Sequence, residues 1–400
     1  MEEHIIEKRG IPLPVFVTGC ILCLVLGAAA ALLGLRAAIG TDGLALLQAK
    51  LLIQERFVGE YDPQEQREAV LGTMVYALGD QWSYYLTPED YQQVVRSRKN
   101  VYVGIGVTID TEDEEDGILI LAVTPDSPAE EAGILAGERI VGVEGTEVTQ
   151  KNQAECVEMI HGEEGSQVEL ELQGEDGARR SLTVTRRTIQ VRSVEWSLLE
   201  DGVGLVSIRN FYSGSAAQVR RGVQELLDQG MTALVLDVRN NPGGYVTELT
   251  DILDLLLPAG EIFISREGRE DAGGREKIYR SDAACVDLPM AVLVNAESYS
   301  AAEFLAAQLR ESAGAVVAGT RTSGKGYSQK LYPLLDGSAV GLSTARYFTG
   351  GGTSLIGKGV RPDPRVSLGE KEEMLLQVGR LAPAEDAQLQ AALEALAERE

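Results

Sequence analysis

Three short, almost wholly apolar runs constrain this chain more than any other feature: "ALVLDV" at 233–238, "MAVLVN" at 290–295 and "AVVAGT" at 315–320. A strand that alternates apolar and polar residues can leave one face in water. A strand apolar at nearly every position must be covered on both faces, as in parallel sheets flanked by helices. The segments between the runs read as those helices. "SAAQVRRGVQELLDQG" is amphipathic and stops at Gly230, "RNNPGGYVTELTDILDLLL" is a turn running into a helix, and "SAAEFLAAQLRESAG" is a third helix. With "VGLVSI" at 203–208 as a first strand, residues 191–370 imply a partly parallel sheet with helices on both faces.

The rest of the chain divides by pattern. Residues 11–35 carry no charge over 25 positions, whereas about 20 suffice to cross a hydrocarbon core. This exceeds the apolar region of a cleaved signal peptide, so 1–41 reads as a short tail and an uncleaved signal anchor. Lys8 and Arg9 precede the apolar run, which places the tail in the cytoplasm and the bulk outside. Residues 42–98 read as helices, with "EQREAVLGTMVYALG" at helical spacing and Thr87 as N-cap before Pro88. The aromatic-rich "LGDQWSYYLTPEDY" there either packs on another domain or closes a small core of its own.

Residues 99–190 change to short strands. "VYVGIGVTI" alternates and holds two glycines; an acidic turn, "DTEDEEDG", leads to "ILILAV". "TPDSPAEEAGILAGERIVGVEGTEV" reads as turn, short helix, glycine stop, strand and turn, and "QVELELQGEDGARRSLTVTRR" as a hairpin. Residues 371–400 form an acidic, Ala/Leu-rich helical segment that docks on the body or pairs with another subunit in a homo-oligomer. The whole reads as an α+β multidomain chain.

A formal net charge of −25 excludes a nucleic-acid binder, which needs basic surface to neutralise phosphates. Of the four cysteines, Cys20 and Cys23 sit inside the apolar run, and Cys156 and Cys285 are isolated, so neither a disulfide framework nor a zinc site is indicated. No metal-ligand cluster and no nucleotide motif is present in the sequence, so no cofactor is implied.

The chemistry-bearing stretch is "VNAESYSAAEF", 294–304, with Ser298 and Ser300. Ser300 follows an apolar strand and heads a helix, where N–H groups point outward and favour negative charge. A serine there can attack a carbonyl while the N–H of Ala301 holds the oxyanion. Ser300 and Glu303 equally fit the S-x-x-E capping box, a purely local device. The two histidines, His4 and His161, lie far off in sequence. Lys325 in "RTSGKGYSQ" stands between two glycines, which allow close backbone approach and an inward side chain. Burial lowers an ammonium pKa from about 10.4, and a neutral lysine can take the proton of a serine. Gln329 can orient it. The alternative is a flexible or phosphate-binding Gly-Lys-Gly turn, although the P-loop spacing is missing. In "DVRNNPGG", 237–244, the N–H of Gly243 or Gly244 can supply a second oxyanion donor, unless this is an ordinary strand-to-helix turn.

These stretches, together with "LYPLLDGSAVGLSTARYFTGGGTSLIGKGVRPD" and "LGDQWSYYLTPEDY", resemble the C-terminal processing peptidases, or tail-specific proteases, over roughly residues 45–370. The resemblance implies that Ser300, the middle serine of an S-x-S-x-S-E pattern whose third position is Ala302 here, is the nucleophile. It implies Lys325, 25 residues on, as general base and Gln329 as its orienting partner. Ala296 and Glu297 depart from the usual small residues, Tyr299 replaces a small residue, and Ser323 stands where an aromatic is common. The resemblance further implies a PDZ domain at 99–190 and a crotonase/ClpP-like α/β catalytic domain at 191–370. In the PDZ domain the N–H groups of Gly104, Ile105, Gly106 and Val107 would receive a chain terminus, the peptide adding as a strand. Alone, "VGIG" reads as a β-bulge. "SPAEEAGILAGERI" matches the PDZ helix and turn, with Glu138 for the usual aspartate. His161 either lines the peptide groove or lies on the surface.

The expectation is a membrane-anchored serine endopeptidase acting outside the cytoplasm on proteins with apolar C-termini, without metal or cofactor. Two other classes are a catalytically silent PDZ scaffold and a crotonase-like acyl-transfer enzyme. The presence of both Ser300 and Lys325 speaks against the first, and the PDZ module against the second.

Overall fold

The computed structural model describes residues 13–398, apart from 111–115, 175, 270–273, 283 and 378. The chain divides into two units, 1–69 and 70–400. The first holds helix α1 (Leu13–Arg56), interrupted at Gly40, whose φ of 66° breaks the helical path. Within it, Phe16–Ala38 is long and apolar enough to cross a membrane, by length and composition alone. Lys8, Arg9 and the first two residues of the apolar run lie outside the described residues. Helix α2 (Pro63–Tyr76) begins in this unit and ends in the second.

The second unit opens with strand β1 (Tyr84–Leu86) and helix α3 (Pro88–Arg98). Thr87 caps α3: its Oγ1 accepts the Asp90 N–H at 3.2 Å, with Pro88 at the first helical position. β1 corrects the all-helical reading of 42–98. It pairs antiparallel with residues 339–341, and Gly341 leaves room for the Tyr84 ring, which a Cβ there would meet at 2.6 Å.

The middle module contains β2 (Val101–Gly104), β3 (Val107–Asp110), β4 (Ile118–Val123), α4 (Pro128–Glu131), β5 (Arg139–Val143), β6 (Thr146–Glu147), α5 (Gln153–Ile160), β7 (Gln167–Gln173), β8 (Arg179–Thr185) and β9 (Arg187–Gln190). One sheet runs β3-β4-β5-β7-β8, with β6 on β5, and β2 pairs with β9 separately. Period-two alternation sends Val168, Leu170 and Leu172 of β7 into a core with Ile118, Ile120 and Ile140. β3 is left at the sheet edge. Most of the acidic turn expected at 110–117 lies outside the described residues.

The body that follows comprises β10 (Val194–Leu198), β11 (Val203–Ile208), α6 (Ser215–Asp228), β12 (Ala233–Asp237), α7 (Val246–Leu256), β13 (Gly260–Glu267), β14 (Arg275–Ser281), β15 (Met290–Val294), α8 (Ala301–Ala313), β16 (Val316–Gly319), β17 (Tyr327–Pro333), β18 (Ala339–Thr349), α9 (Glu370–Gln377) and α10 (Ala387–Ala397). Its main sheet runs β10-β11-β12-β15-β16, and β11, β12, β15 and β16 are mutually parallel. The apolar runs explain themselves here. Leu234, Leu236, Val292, Val294 and Val317 enter the core shared with α6, α7 and α8. The intervening Val235, Ala291, Leu293, Val316 and Ala318 pack against Leu389, Ala392 and Leu396 of α10. The C-terminal helix thus docks on its own chain's body. Its 11 residues are too few to hold a helix in water unaided, and burying each leucine contributes about 1.5–3 kcal/mol. A second sheet, β1-β18-β13-β14 with β17 on β18, packs on the α8 side. There Phe263 meets Phe304 and Tyr347 edge-on, at 5.3 and 4.8 Å between ring centroids.

Candidate active site

Strand β15 delivers the serine stretch to the C-terminal ends of the parallel strands, where open α/β sheets place their sites. Ser298 is fully buried, and its Oγ donates to the Val238 carbonyl at 2.7 Å and accepts the Asn295 N–H at 3.0 Å. It holds the turn together and has no exposure for chemistry. Asn295 and Asn240 join the same two loops: Asn240 N–H donates to Asn295 Oδ1 at 2.9 Å, and Asn295 Nδ2 to Asn240 Oδ1 at 2.7 Å.

Ser300 has φ 53° and ψ −114°, a conformation that non-glycine residues adopt at a cost of about 1–3 kcal/mol and that concentrates at functional turns. Its N–H donates to Glu303 Oε2 at 2.9 Å, one half of a capping box whose other half is the Ser300 side chain, and Ser300 also lines a cavity. The Ala301 N–H donates to no described residue. Gly243 lies against this turn: a Cβ there would stand 2.8 Å from the Tyr299 carbonyl, 3.0 Å from Ser300 Cβ and 3.1 Å from Ala301 N. Only glycine fits, and its φ of 85° agrees. The Gly243 N–H is engaged by Asn241 Oδ1 at 2.8 Å, whereas the Gly244 N–H has no partner among the described residues.

The glycines beside Lys325 also have a steric reason. A Cβ on Gly324 would lie 3.1 Å from the main chain of 357–359, and one on Gly326 would lie 2.5 Å from Ile356 Cγ1. The loop is held by Glu303, fully buried on α8. Its carboxylate accepts the N–H of Gly324 at 2.7 Å and of Lys325 at 2.8 Å, and the hydroxyls of Thr322 at 2.6 Å and Ser323 at 3.0 Å. Ser323 is thus a further donor to this carboxylate. Lys325 Nζ stands 4.9 Å from the Trp82 ring centroid and hydrogen-bonds to no described residue. Burial, and after it the charge of Arg98, push the Lys325 ammonium below the ordinary lysine pKa, while Glu303 and Asp80 oppose the shift.

Ser300, Lys325, Gln329 and Gly244 line one cavity of about 280 Å³, walled also by Arg98, Tyr212 and Tyr347. Gln329 shares the wall but does not hold the lysine: its Nε2 donates to the Tyr327 carbonyl and Ser343 Oγ, both at 3.2 Å. Tyr299 donates to Glu297 at 2.8 Å and meets Trp82 edge-on at 6.3 Å, so the two departures at the rim support each other. Trp82 belongs to a stretch conspicuous in the sequence for its aromatics; Arg98 gave no signal, and Glu303 was visible only as a cap.

In the middle module, the carbonyls of Ile105 and Gly106 accept N–H groups of Ala129 and Thr124, at 2.8 and 2.9 Å. The N–H groups of Ile105 and Gly106 donate to no described residue. Gly104 and Val107 end β2 and begin β3 on either side. His161 is exposed, edge-on to Tyr102, with Nδ1 3.4 Å from the Val103 carbonyl.

Two family models match: peptidase family S41 over residues 202–366 and a PDZ domain over 119–174. A chloroplastic C-terminal processing peptidase of Tetradesmus obliquus is 32% identical over 321 residues, covering 76% of this chain and 68% of that protein. The chain belongs to peptidase family S41. Carboxy-terminal processing protease CtpA of Bacillus subtilis is 30% identical, covering 79% of the S41 chain and 67% of its own length. A probable CtpA-like serine protease of Staphylococcus haemolyticus is 28% identical over 75% of the S41 chain, which spans 60% of that relative. Among solved structures, a putative S41 protease from Bacteroides fragilis shares the fold, at a TM-score of 0.50 and 19% identity, over 86% of this chain and 93% of that one.

Proposed function

We propose that this S41 chain is a membrane-anchored serine endopeptidase in which Ser300 is the nucleophile and Lys325 the general base. The observation that carries the reading is the shared cavity, lined by Ser300, by Gly244 with its unengaged N–H and by a half-buried lysine whose pKa is lowered, with the unengaged N–H of Ala301 following Ser300 in the chain. Ser300 Oγ attacks the scissile carbonyl carbon as neutral Lys325 takes its proton. The oxyanion is held by Ala301 and Gly244; Gly243, whose N–H is committed to Asn241, instead gives the turn its close approach. The ammonium protonates the leaving amine as the C–N bond breaks, leaving an ester on Ser300. Water then attacks the ester, giving a proton to Lys325, which passes it to Ser300 Oγ as the ester C–O bond breaks and the acid product leaves. Gln329 orients Lys325 once it exchanges its bonds to Tyr327 and Ser343.

The PDZ module captures apolar chain ends. The N–H groups from Gly104 to Val107 receive the terminal carboxylate, and the open edge of β3 receives the peptide as an added strand. The division of labour is 1–41 tail and anchor, 42–98 helical region, 99–190 PDZ, 191–370 crotonase/ClpP-like catalytic domain and 371–400 C-terminal segment. Phe16–Ala38 anchors the chain, with its bulk outside the cytoplasm.

The test uses the full chain in detergent micelles, an unstructured polypeptide with an apolar C-terminus, and a fluorophosphonate that labels activated serines. Cutting and labelling by the parent, both lost in Ser300→Ala, with cutting lost in Lys325→Ala, is the expected result. Undiminished cutting by Lys325→Ala removes the base assignment. Binding of the tail with neither cutting nor labelling replaces the peptidase by a scaffold.

A further inference from the structure

The cavity that holds Ser300 is lined by two cations, Lys325 and Arg98, and by no aspartate or glutamate, in a chain of formal net charge −25. Arg98 is half-buried, yet its guanidinium makes no hydrogen bond or ion pair with any described residue. The more deeply buried arginines are fully engaged. Arg239 is held by Asp237 and Asp386, and Arg186 donates to the carbonyls of Met159, Ile160 and Gln167 and to Ser166.

The position of Arg98 is built rather than incidental. Its carbonyl accepts the Ser213 N–H at 3.3 Å. Two residues on, Asn100, buried and at a φ of 52°, donates to Asn210 at 3.0 Å, and its carbonyl accepts from Gln190 at 2.9 Å. The end of α3 is thereby clamped to the loop bearing Tyr212, another cavity residue. A guanidinium is a planar fork matched to carboxylates, and leaving it part-desolvated without a partner is unfavourable until an anion arrives.

We propose that Arg98 is a specificity-determining residue that binds a carboxylate of the substrate inside the catalytic cavity. The proposal rests on the Ser300–Lys325 reading. The carboxylate has two sources: an acidic side chain beside the scissile bond, or the terminal carboxylate of a short tail being removed. The site is distinct from the PDZ loop, so a bound substrate presents one anion to Arg98 independently of the module.

The experiment compares two matched pairs of fluorogenic peptides on the full chain. One pair differs only as Glu or Gln beside the scissile bond; the other differs only as free acid or amide at a terminus a few residues beyond it. In the parent, kcat/KM for at least one carboxylate member exceeds that of its neutral twin by about tenfold or more. In Arg98→Gln that ratio falls to about twofold or less, and Arg98→Lys, which keeps the charge without the fork, retains an intermediate ratio. The pair that responds identifies the source. A parent ratio near one for both pairs, or a ratio unchanged in Arg98→Gln, overturns the proposal while leaving the catalytic pair standing. If no peptide is cut and Ser300 resists the fluorophosphonate, the catalytic reading itself fails and this proposal falls with it.

Discussion

Glu303 accepts the main-chain N–H of Lys325 at 2.8 Å, and the same Oε2 accepts that of Ser300 at 2.9 Å. One buried carboxylate therefore ties the turn of Ser300 to the loop of Lys325. Glu303→Gln places an NH2 group among N–H and O–H donors and leaves at least one buried donor unpaired, at about 1–3 kcal/mol. The expected outcome is a lower melting temperature and a fall in kcat of about tenfold or more, since small misplacements of reacting groups are costly. An unchanged kcat with a lower melting temperature would reduce Glu303 to a structural residue.

The lowered Lys325 pKa sets the direction of the pH response. The proposed base would work neutral, so kcat/KM is expected to rise with pH through an ionisation below the usual lysine value of about 10.4. Arg98 pushes this pKa down and Asp80 pushes it up. Arg98→Gln therefore moves the midpoint to higher pH and Asp80→Asn moves it lower. Initial-rate profiles over the alkaline range check both signs; a shared direction contradicts the electrostatic account.

Gly243→Ala drives a methyl group toward the Tyr299 carbonyl and Ser300 Cβ in a backbone conformation alanine disfavours. The expected result is a loss of about a hundredfold in kcat/KM from displacement of Ser300. Binding of an apolar C-terminal peptide, read by fluorescence anisotropy, stays unchanged because the PDZ module is untouched.

The turn at 237–244 is also tied to the far end of the chain. Arg239 donates to both oxygens of Asp386, at 3.0 and 2.6 Å, and Asp386 caps α10 by accepting the N–H groups of Gln388 and Leu389 at 3.1 Å. Asp386→Ala leaves a buried guanidinium half-compensated and uncaps the helix, at about 3–5 kcal/mol. Urea denaturation is expected to show the loss, together with weaker fluorophosphonate labelling of Ser300.

In the PDZ module, Gly106 has a φ of 90°, and a Cβ there would collide with Ser127 Cβ at 2.3 Å. Gly106→Ala is expected to weaken binding of free-acid peptides by about tenfold or more and to leave Ser300 labelling intact. Equal binding of acid and amide peptides by the parent would remove the carboxylate loop from its assigned role.

The amino-acid sequence by itself determined the parallel strands, the hairpin of β7 and β8, the Thr87 cap, and Ser300 and Lys325 as the residues to watch. Each leaves a local mark: an apolar run, a period of two, a capping residue, a serine heading a helix, a lysine between glycines. Tertiary structure alone decided the rest. β14, "REKIYRS", has no apolar periodicity and is a strand because it pairs with β13 at the sheet edge, and β1 is a strand because residues 339–341 pair with it. Whether α10 docks or dimerises depended on Val235, Leu293 and Ala318 offering it an apolar face. Asn241 engages the Gly243 N–H and leaves that of Gly244 without a partner among the described residues. The surroundings of Glu303, Trp82 and Arg98 are assembled from segments tens to hundreds of residues apart. Periodicity and capping report only on neighbours along the chain, and such contacts exist only once the layers have packed.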